Sequence, residues 1–135
     1  MSDYLGIETW TITEPGRLDE IQIGDHQEDV RLRLGTYRVF RRTPESPESG
    51  QFIPNGLIVT YGSDRRVSLI ELPSSLAVIL AGVLLTGREL RNVVEDLPAE
   101  NVVVDDEAPA IISIRDWRTK LYVPTGTVEG VSIGE

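Results

Sequence analysis

Residues 83–98 constrain the fold most, because they carry the clearest helical periodicity in the chain. Thr86 is the predicted N-cap, with Glu89 three residues later as in a capping box, and Pro98 ends the helix. Residues 76–85, which lead into the helix, are the most apolar run, and residues 76–80 within it predict a buried strand or the lead-in to one. The apolar stripe of the helix follows the spacing i, i+3, i+4, i+7 and consists of Leu90, Val93, Val94 and Leu97.

A shorter helix with the same pattern is predicted at residues 26–34. Asp25 is its predicted N-cap, and Gly35 stands where a C′ glycine is expected. Val30 and Leu34 then match Val93 and Leu97 at a separation of 63 residues (93 minus 30). Such a short helix has to be held by packing on a sheet, because its own propensity is not sufficient.

Segments of alternating or β-branched residues predict the strands that surround these helices. Residues 42–55 contain three prolines and are predicted to be a surface loop, which is often functional at this length; a mobile insertion without a role is the alternative. Ile21 and Ile23 predict a short strand. The other predicted strands are 7–13, 37–41, 56–61, 67–72, 76–80, 101–104, 110–114, 120–123 and 128–133.

The strands repeat as well as the helices. Val67 and Ile70 match Val128 and Val131 at a separation of 61 (128 minus 67), and Leu57 matches Leu121 at 64 (121 minus 57). We therefore predict one α+β domain over 1–135, a mostly antiparallel sheet with two short helices on one face. Its two similar halves would be residues 19–72 and 82–135. A chance order of elements in an unrepeated α+β chain is the alternative.

Helices on one face of a sheet leave the other face free, and Thr, Tyr, Arg and Trp side chains would make it a flat binding surface. The predicted partner-binding residues lie at turns and strands of the second half: Asp105, Asp106, Glu107, Arg115, Trp117, Arg118 and Tyr122. Each has a structural alternative: Trp117 at an edge of the core, the arginines as solubilising charges, and the acidic run as a solvated turn or an oxygen-ligand cation site.

Little in the composition points to catalysis. Without cysteine, the chain has no thiolate nucleophile and no cysteine metal site, and with one histidine it has no histidine metal cluster. His26 is expected at the surface, beside a helix cap. Glycine-rich phosphate loops are absent. Paired carboxylates stay open, because 22 acidic residues offer many pairs. We expect no catalytic, cofactor or metal site.

The net charge of −9 argues against nucleic-acid binding and is compatible with a basic protein partner, although acidity can also serve solubility alone. The apolar run at 76–85 is about half the length that a membrane span requires. The first six residues lack the basic and apolar segments of a signal peptide. We therefore expect no membrane association and a cytoplasmic location.

The pattern Ile23-Gly24-Asp25, then Val30, Leu34-Gly35 and two strands, resembles small bacterial domains built from tandem helix-plus-sheet units. It is similar to β-lactamase-inhibitory-protein-like and outer-membrane assembly lipoprotein-like domains, and to immunity-type or mobile-cassette proteins. The resemblance implies a non-enzymatic protein that binds another protein. Two alternatives remain: a small-molecule-binding or enzymatic domain with a pocket between helices and sheet, and a self-assembling homo-oligomer.

Overall fold

The computed structural model describes residues 9–35, 37–52, 55–98, 102–104 and 110–134. The helices among them are α1 (Gln27–Leu34) and α2 (Leu90–Asp96). The strands are β1 (Thr9–Glu14), β2 (Arg17–Leu18), β3 (Ile21–Gln22), β4 (Tyr37–Phe40), β5 (Ser49–Phe52), β6 (Ile58–Tyr61), β7 (Val67–Pro73), β8 (Ala77–Leu80), β9 (Val83–Leu84), β10 (Val102–Val104), β11 (Ile111–Ile114), β12 (Thr119–Tyr122) and β13 (Gly130–Gly134).

The strands divide between two sheets. One has five strands in the order β3-β2-β1-β8-β9, and the other has eight in the order β10-β11-β12-β13-β7-β6-β5-β4. Among the described pairs, only β1 with β8 is parallel. The predicted α+β class with mostly antiparallel pairing is confirmed. The division into two sheets was not predicted, because it depends on the pairing of β1 with β8, two strands that lie far apart in the sequence.

Buried side chains from both sheets and both helices form one apolar core. Val30 in α1 and Val93 in α2 are both fully buried, so each short helix is anchored by an apolar residue at the matching position. Burying one valine side chain stabilises a fold by roughly 1.5–3 kcal/mol. Packing therefore compensates for the low intrinsic stability of helices of eight and seven residues.

The same main-chain attachment joins each helix to a hairpin. Before α1, the amide of Gly24 donates to the carbonyl of Val67 at 2.9 Å, and the amide of Val67 donates to the carbonyl of Asp25 at 2.8 Å. Before α2, the equivalent bonds join Gly87 with Val128 at 2.9 Å and Val128 with Arg88 at 2.8 Å. Gly24 and Gly87, before the helices, are 63 residues apart, and Val67 and Val128, in the hairpins, are 61 apart. These are the separations seen in the sequence.

The strand alignment of the repeat differs from the predicted one at one position. Val59 pairs with Ile70 in the first hairpin, and Leu121 pairs with Val131 in the second. Because Ile70 matches Val131, the partner of Leu121 in the repeat is Val59. The predicted match of Leu57 with Leu121 is therefore wrong by two residues, a shift that keeps the same face of the strand buried.

The predicted N-cap of α2 is wrong. Thr86 is buried, and its hydroxyl donates to the carbonyl of Leu76 at 2.7 Å and accepts from the amide of Val78 at 3.1 Å. The hydroxyl is therefore used by main-chain groups at the start of β8 and not by the helix. Helix α2 begins later, with Glu89 at the N-cap position.

The predicted N-cap of α1 is also displaced by one residue. His26 Nδ1 accepts from the amide of Glu28 at 3.2 Å, whereas Asp25 accepts from the amide of Gln22 at 3.0 Å. Asp25 thus closes the turn before the helix. The predicted C-terminal glycine is confirmed, since Gly35 has φ 85° and its amide donates to the carbonyl of Arg31 at 3.0 Å.

The predicted loop over 42–55 contains strand β5, which pairs with β4 on one side and β6 on the other. The sequence does not predict this strand, because Ser49 and Gly50 lack the β-branched or aromatic character typical of strands. Gly50 lies over the ring of Tyr61, whose hydroxyl would be 3.9 Å from a Cβ atom at that position. A Cβ atom at this position would therefore make ordinary van der Waals contact with the ring.

A trough on the open face of the eight-stranded sheet

The two faces of the eight-stranded sheet differ sharply in exposure. On the inward face, Ile70, Ile133 and Leu121 are at most 1% exposed. On the outward face, most described side chains are half-buried or exposed, and no described element covers them; Ser49, which hydrogen-bonds Thr60 on the neighbouring strand, is an exception at 2%. We call this outward surface the open face. The register places one continuous row of it across the sheet: Arg38, Gln51, Ile58, Glu71, Ser132, Lys120, Ser113 and Val103.

A shallow trough runs along β13 on the open face. Its floor is formed by Gly130, Ser132 and Gly134, because alternate residues of a strand point to the same side and these three are small. Val131 and Ile133, between them, point into the core and are buried. The face of the strand towards the core thus carries large apolar side chains, whereas its outward face carries almost none.

Larger side chains of the neighbouring strands wall the trough. Leu69 and Glu71 stand on β7, and Lys120 and Tyr122 stand on β12. Two adjoining depressions of about 270 and 530 Å³ follow the trough and share Lys120 and Ser132. Tyr122 is 48% exposed, so a large aromatic surface is available at one end. Aromatic side chains with this exposure are enriched in protein–protein contacts.

The open face is locally basic although the chain as a whole is acidic. Arg42 Nη2 lies 2.7 Å from Glu71 Oε1, which neutralises the carboxylate in the trough wall. Arg38 donates to Gln51 Oε1 at 2.7 Å and does not meet a carboxylate there. Lys120 is exposed and makes no ion pair among the described residues. With Arg118 and Asp116, which line the far end of the trough, four cations and two carboxylates thus share this surface, in a chain with a net charge of −9.

The structure brings two of the predicted partner-binding residues to the trough. Tyr122 forms part of its wall, and Arg118 lines its far end beside Gly134. Arg115 is exposed in the turn before β12, away from the depressions. Trp117 is half-buried and packs against the core, which is its structural alternative. The remaining three predicted residues, Asp105, Asp106 and Glu107, lie outside the described residues.

The floor of the trough and its wall residues other than Tyr122 and Arg118 were not predicted from the sequence. The signal was present in residues 130–134, where Gly, Ser and Gly alternate with Val and Ile. That alternation predicts a strand with one apolar face and one nearly bare face. The other wall residues could not be recognised, because the order β12-β13-β7 that brings Lys120 and Glu71 to either side of β13 is set by long-range pairing.

Within the described ranges, no three His, Cys, Asp or Glu side chains are grouped so that they could hold a metal ion. The helices of the same ranges include none with the length and apolar character needed to cross a membrane. Comparison with protein-family models, with curated proteins and with solved structures found no match to this chain.

Proposed function

We propose that this protein binds another protein, in the manner of an immunity or inhibitor protein, and that the trough on the open face holds a segment of the partner. The observation that carries the proposal is the uncovered trough along β13, with a nearly bare floor and with Leu69 and Tyr122 in its walls. An exposed sheet surface of this kind accepts an extended segment, whose side chains contact the walls while its backbone lies on the floor.

The local charge supports a partner segment that carries acidic groups. Lys120 in the trough wall has no carboxylate partner among the described ion pairs, so an acidic side chain entering the trough would meet an unpaired cation. The net charge of −9 favours a basic partner at long range, whereas the trough favours acidic groups at contact. Because recognition depends on the contact surface, we propose a segment that combines Asp or Glu with aromatic or aliphatic residues.

A second copy of the chain is a poorer occupant. Pairing two open faces would bring Arg38, Arg42 and Lys120 of each copy towards those of the other, between molecules that each carry a net charge of −9. Like charges placed against each other in an interface cost several kcal/mol by rough estimate. If the protein self-assembles, we therefore expect the contact between copies to use a surface other than the open face, one on which like charges do not meet.

Selection from a displayed library of random peptides tests this proposal. We expect the bound peptides to be enriched in acidic residues and to contain an aromatic or branched aliphatic residue. The double variant Lys120→Glu/Tyr122→Ser should weaken their binding at least about tenfold, because it reverses one charge and removes the largest exposed wall residue.

Leu32→Ser is the matched control, because Leu32 on α1 is 84% exposed and lies outside the trough. It should leave the affinity unchanged. Selected peptides that are basic, or that bind equally well to the trough variant, would refute the proposed surface. Dimers in light scattering that the same double variant dissociates would show that a second copy occupies the trough.

A further inference from the structure

A second concave surface lies at the other end of the sheet, on the side that faces the core. It is a cleft of about 650 Å³ between α1, the connection from β4 to β5, and the turn after β6. Three arginines line it, one from each of these segments: Arg31, Arg41 and Arg65. Tyr61 also lines the cleft, at the end of β6.

Two hydrogen-bond donors in this cleft have no acceptor among the described residues. The hydroxyl of Tyr61 and the Nε of Arg31 are both buried without a hydrogen-bond partner, and Tyr61 as a whole is only 2% exposed. Leaving a buried donor unpaired costs about 1–3 kcal/mol, so an acceptor that enters the cleft and reaches these two groups would recover that free energy. Burial raises the pKa of Tyr61 to about 12, so the hydroxyl keeps its proton at neutral pH and can donate.

The arginines are held in place and only partly neutralised. The guanidinium of Arg31 lies 4.3 Å from the ring centre of Tyr37, and its Nη2 is 2.8 Å from Glu48 Oε1. Arg41 Nη2 approaches the other oxygen of the same carboxylate at 3.9 Å. Arg65 makes no ion pair within the part of the chain that the structure describes. With Glu45 also in the lining, three cations face two carboxylates.

We propose that this cleft binds a small organic anion, a carboxylate or a phosphate monoester. One anionic oxygen would accept from the Tyr61 hydroxyl and from Arg31 Nε, and Arg65 would supply the opposite charge at the mouth. Anionic oxygens satisfy several donors at once and make hydrogen bonds about twice as strong as neutral ones. The site is separate from the trough, because Tyr61 belongs to the inward face of the sheet, and it stands or falls independently of the proposed protein partner.

Calorimetric titration with inorganic phosphate and, separately, with benzoate tests the site in the full chain at low salt. We expect at least one of them to bind with a dissociation constant in the millimolar range or below. Binding of benzoate alone would assign a carboxylate, and binding of phosphate alone a phosphate ester. Tyr61→Phe and Arg65→Gln should each weaken binding about tenfold, through loss of a donor to a charged group.

Two further variants separate a binding role from a structural one. Glu48→Gln removes the carboxylate that competes for Arg31 and Arg41, and should strengthen binding about threefold or more. Arg38→Gln, on the open face, should leave it unchanged. Tyr61→Phe should keep or raise stability without ligand, because it deletes an unpaired buried hydroxyl. Absence of binding by both anions, or equal binding by wild type, Tyr61→Phe and Arg65→Gln, would overturn the proposal.

Discussion

Arg42 Nη2 lies 2.7 Å from Glu71 Oε1 on the open face, and this ion pair occupies the carboxylate that β7 contributes to the wall of the trough. Arg42 comes from the connection after β4, whereas Glu71 lies on β7, so the pair spans β5 and β6. The electrostatic character of the trough therefore depends on a residue from a segment that the sequence shows only as a loop.

Glu71→Gln should strengthen the binding of acidic peptides to the trough about threefold. The substitution frees Arg42 and removes one negative charge beside the segment. The pair is partly exposed, so stability should change by no more than about 1 kcal/mol. Fluorescence anisotropy at two salt concentrations measures the affinity, and the gain should shrink at the higher one. Weaker binding by this variant would argue that Glu71 itself contacts the partner.

Thr86→Val should destabilise the fold by about 1–3 kcal/mol, although valine has nearly the same shape as threonine. The change removes the hydroxyl that joins the carbonyl of Leu76 to the amide of Val78, and it leaves both buried groups without that partner. Urea denaturation measures the difference. Thr125→Val is the control, because its hydroxyl bonds Glu129 at an exposed site and should matter by less than about 0.5 kcal/mol. Equal effects of the two variants would contradict the bridging role of Thr86.

Val30→Ala and Val93→Ala should cost similar amounts, about 1–3 kcal/mol each. Both side chains are fully buried at matching positions of helices that are attached to the sheets in the same way. Leu32→Ala, at an 84% exposed position of α1, should be close to neutral. Thermal and urea unfolding would check all three. If one valine could be truncated freely while the other could not, the two helix attachments would not be energetically equivalent.

Stability should fall between pH 10 and about pH 12 because of Tyr61. Burial raises the pKa of its hydroxyl from 10.0 to about 12, so the folded state retains a proton that the unfolded state loses in this window. The loss begins near pH 10, where only the unfolded state starts to ionise, and levels off above pH 12; its size is roughly 2–3 kcal/mol. Tyr61→Phe should lack this difference, whereas Tyr122→Phe should retain it. Urea unfolding across the alkaline range, with tyrosinate absorbance as a second readout, gives the answer.

The residues that could be predicted from the sequence are those governed by local patterns. The spacing of Val93 and Leu97 predicts α2, and Gly35 predicts the end of α1. The two separations of 63 and 61 residues also appear in the sequence, and the hydrogen bonds of Gly24 and Gly87 follow them. The boundaries of the two halves at 19–72 and 82–135 stay a prediction.

The remaining features depend on pairing between distant strands. Thr86 looks like a helix cap because the sequence does not show that Leu76 and Val78 will lie beside it. Strand β5 lacks the usual composition of a strand, since its place is fixed by β4 and β6 on either side. The trough needs β12 and β7 on the two sides of β13, and only the small residues of its floor are visible in the sequence.

Amide chemical-shift mapping by NMR, with an acidic peptide recovered from the library, tests the central claim most directly. We predict that the largest shifts fall on residues 68–73, 119–122 and 130–134, and that the double variant Lys120→Glu/Tyr122→Ser reduces them, in line with affinity weakened at least about tenfold. Shifts concentrated on α1, or on the acidic turns that include Asp19 and Glu20, would contradict a binding role for the open face.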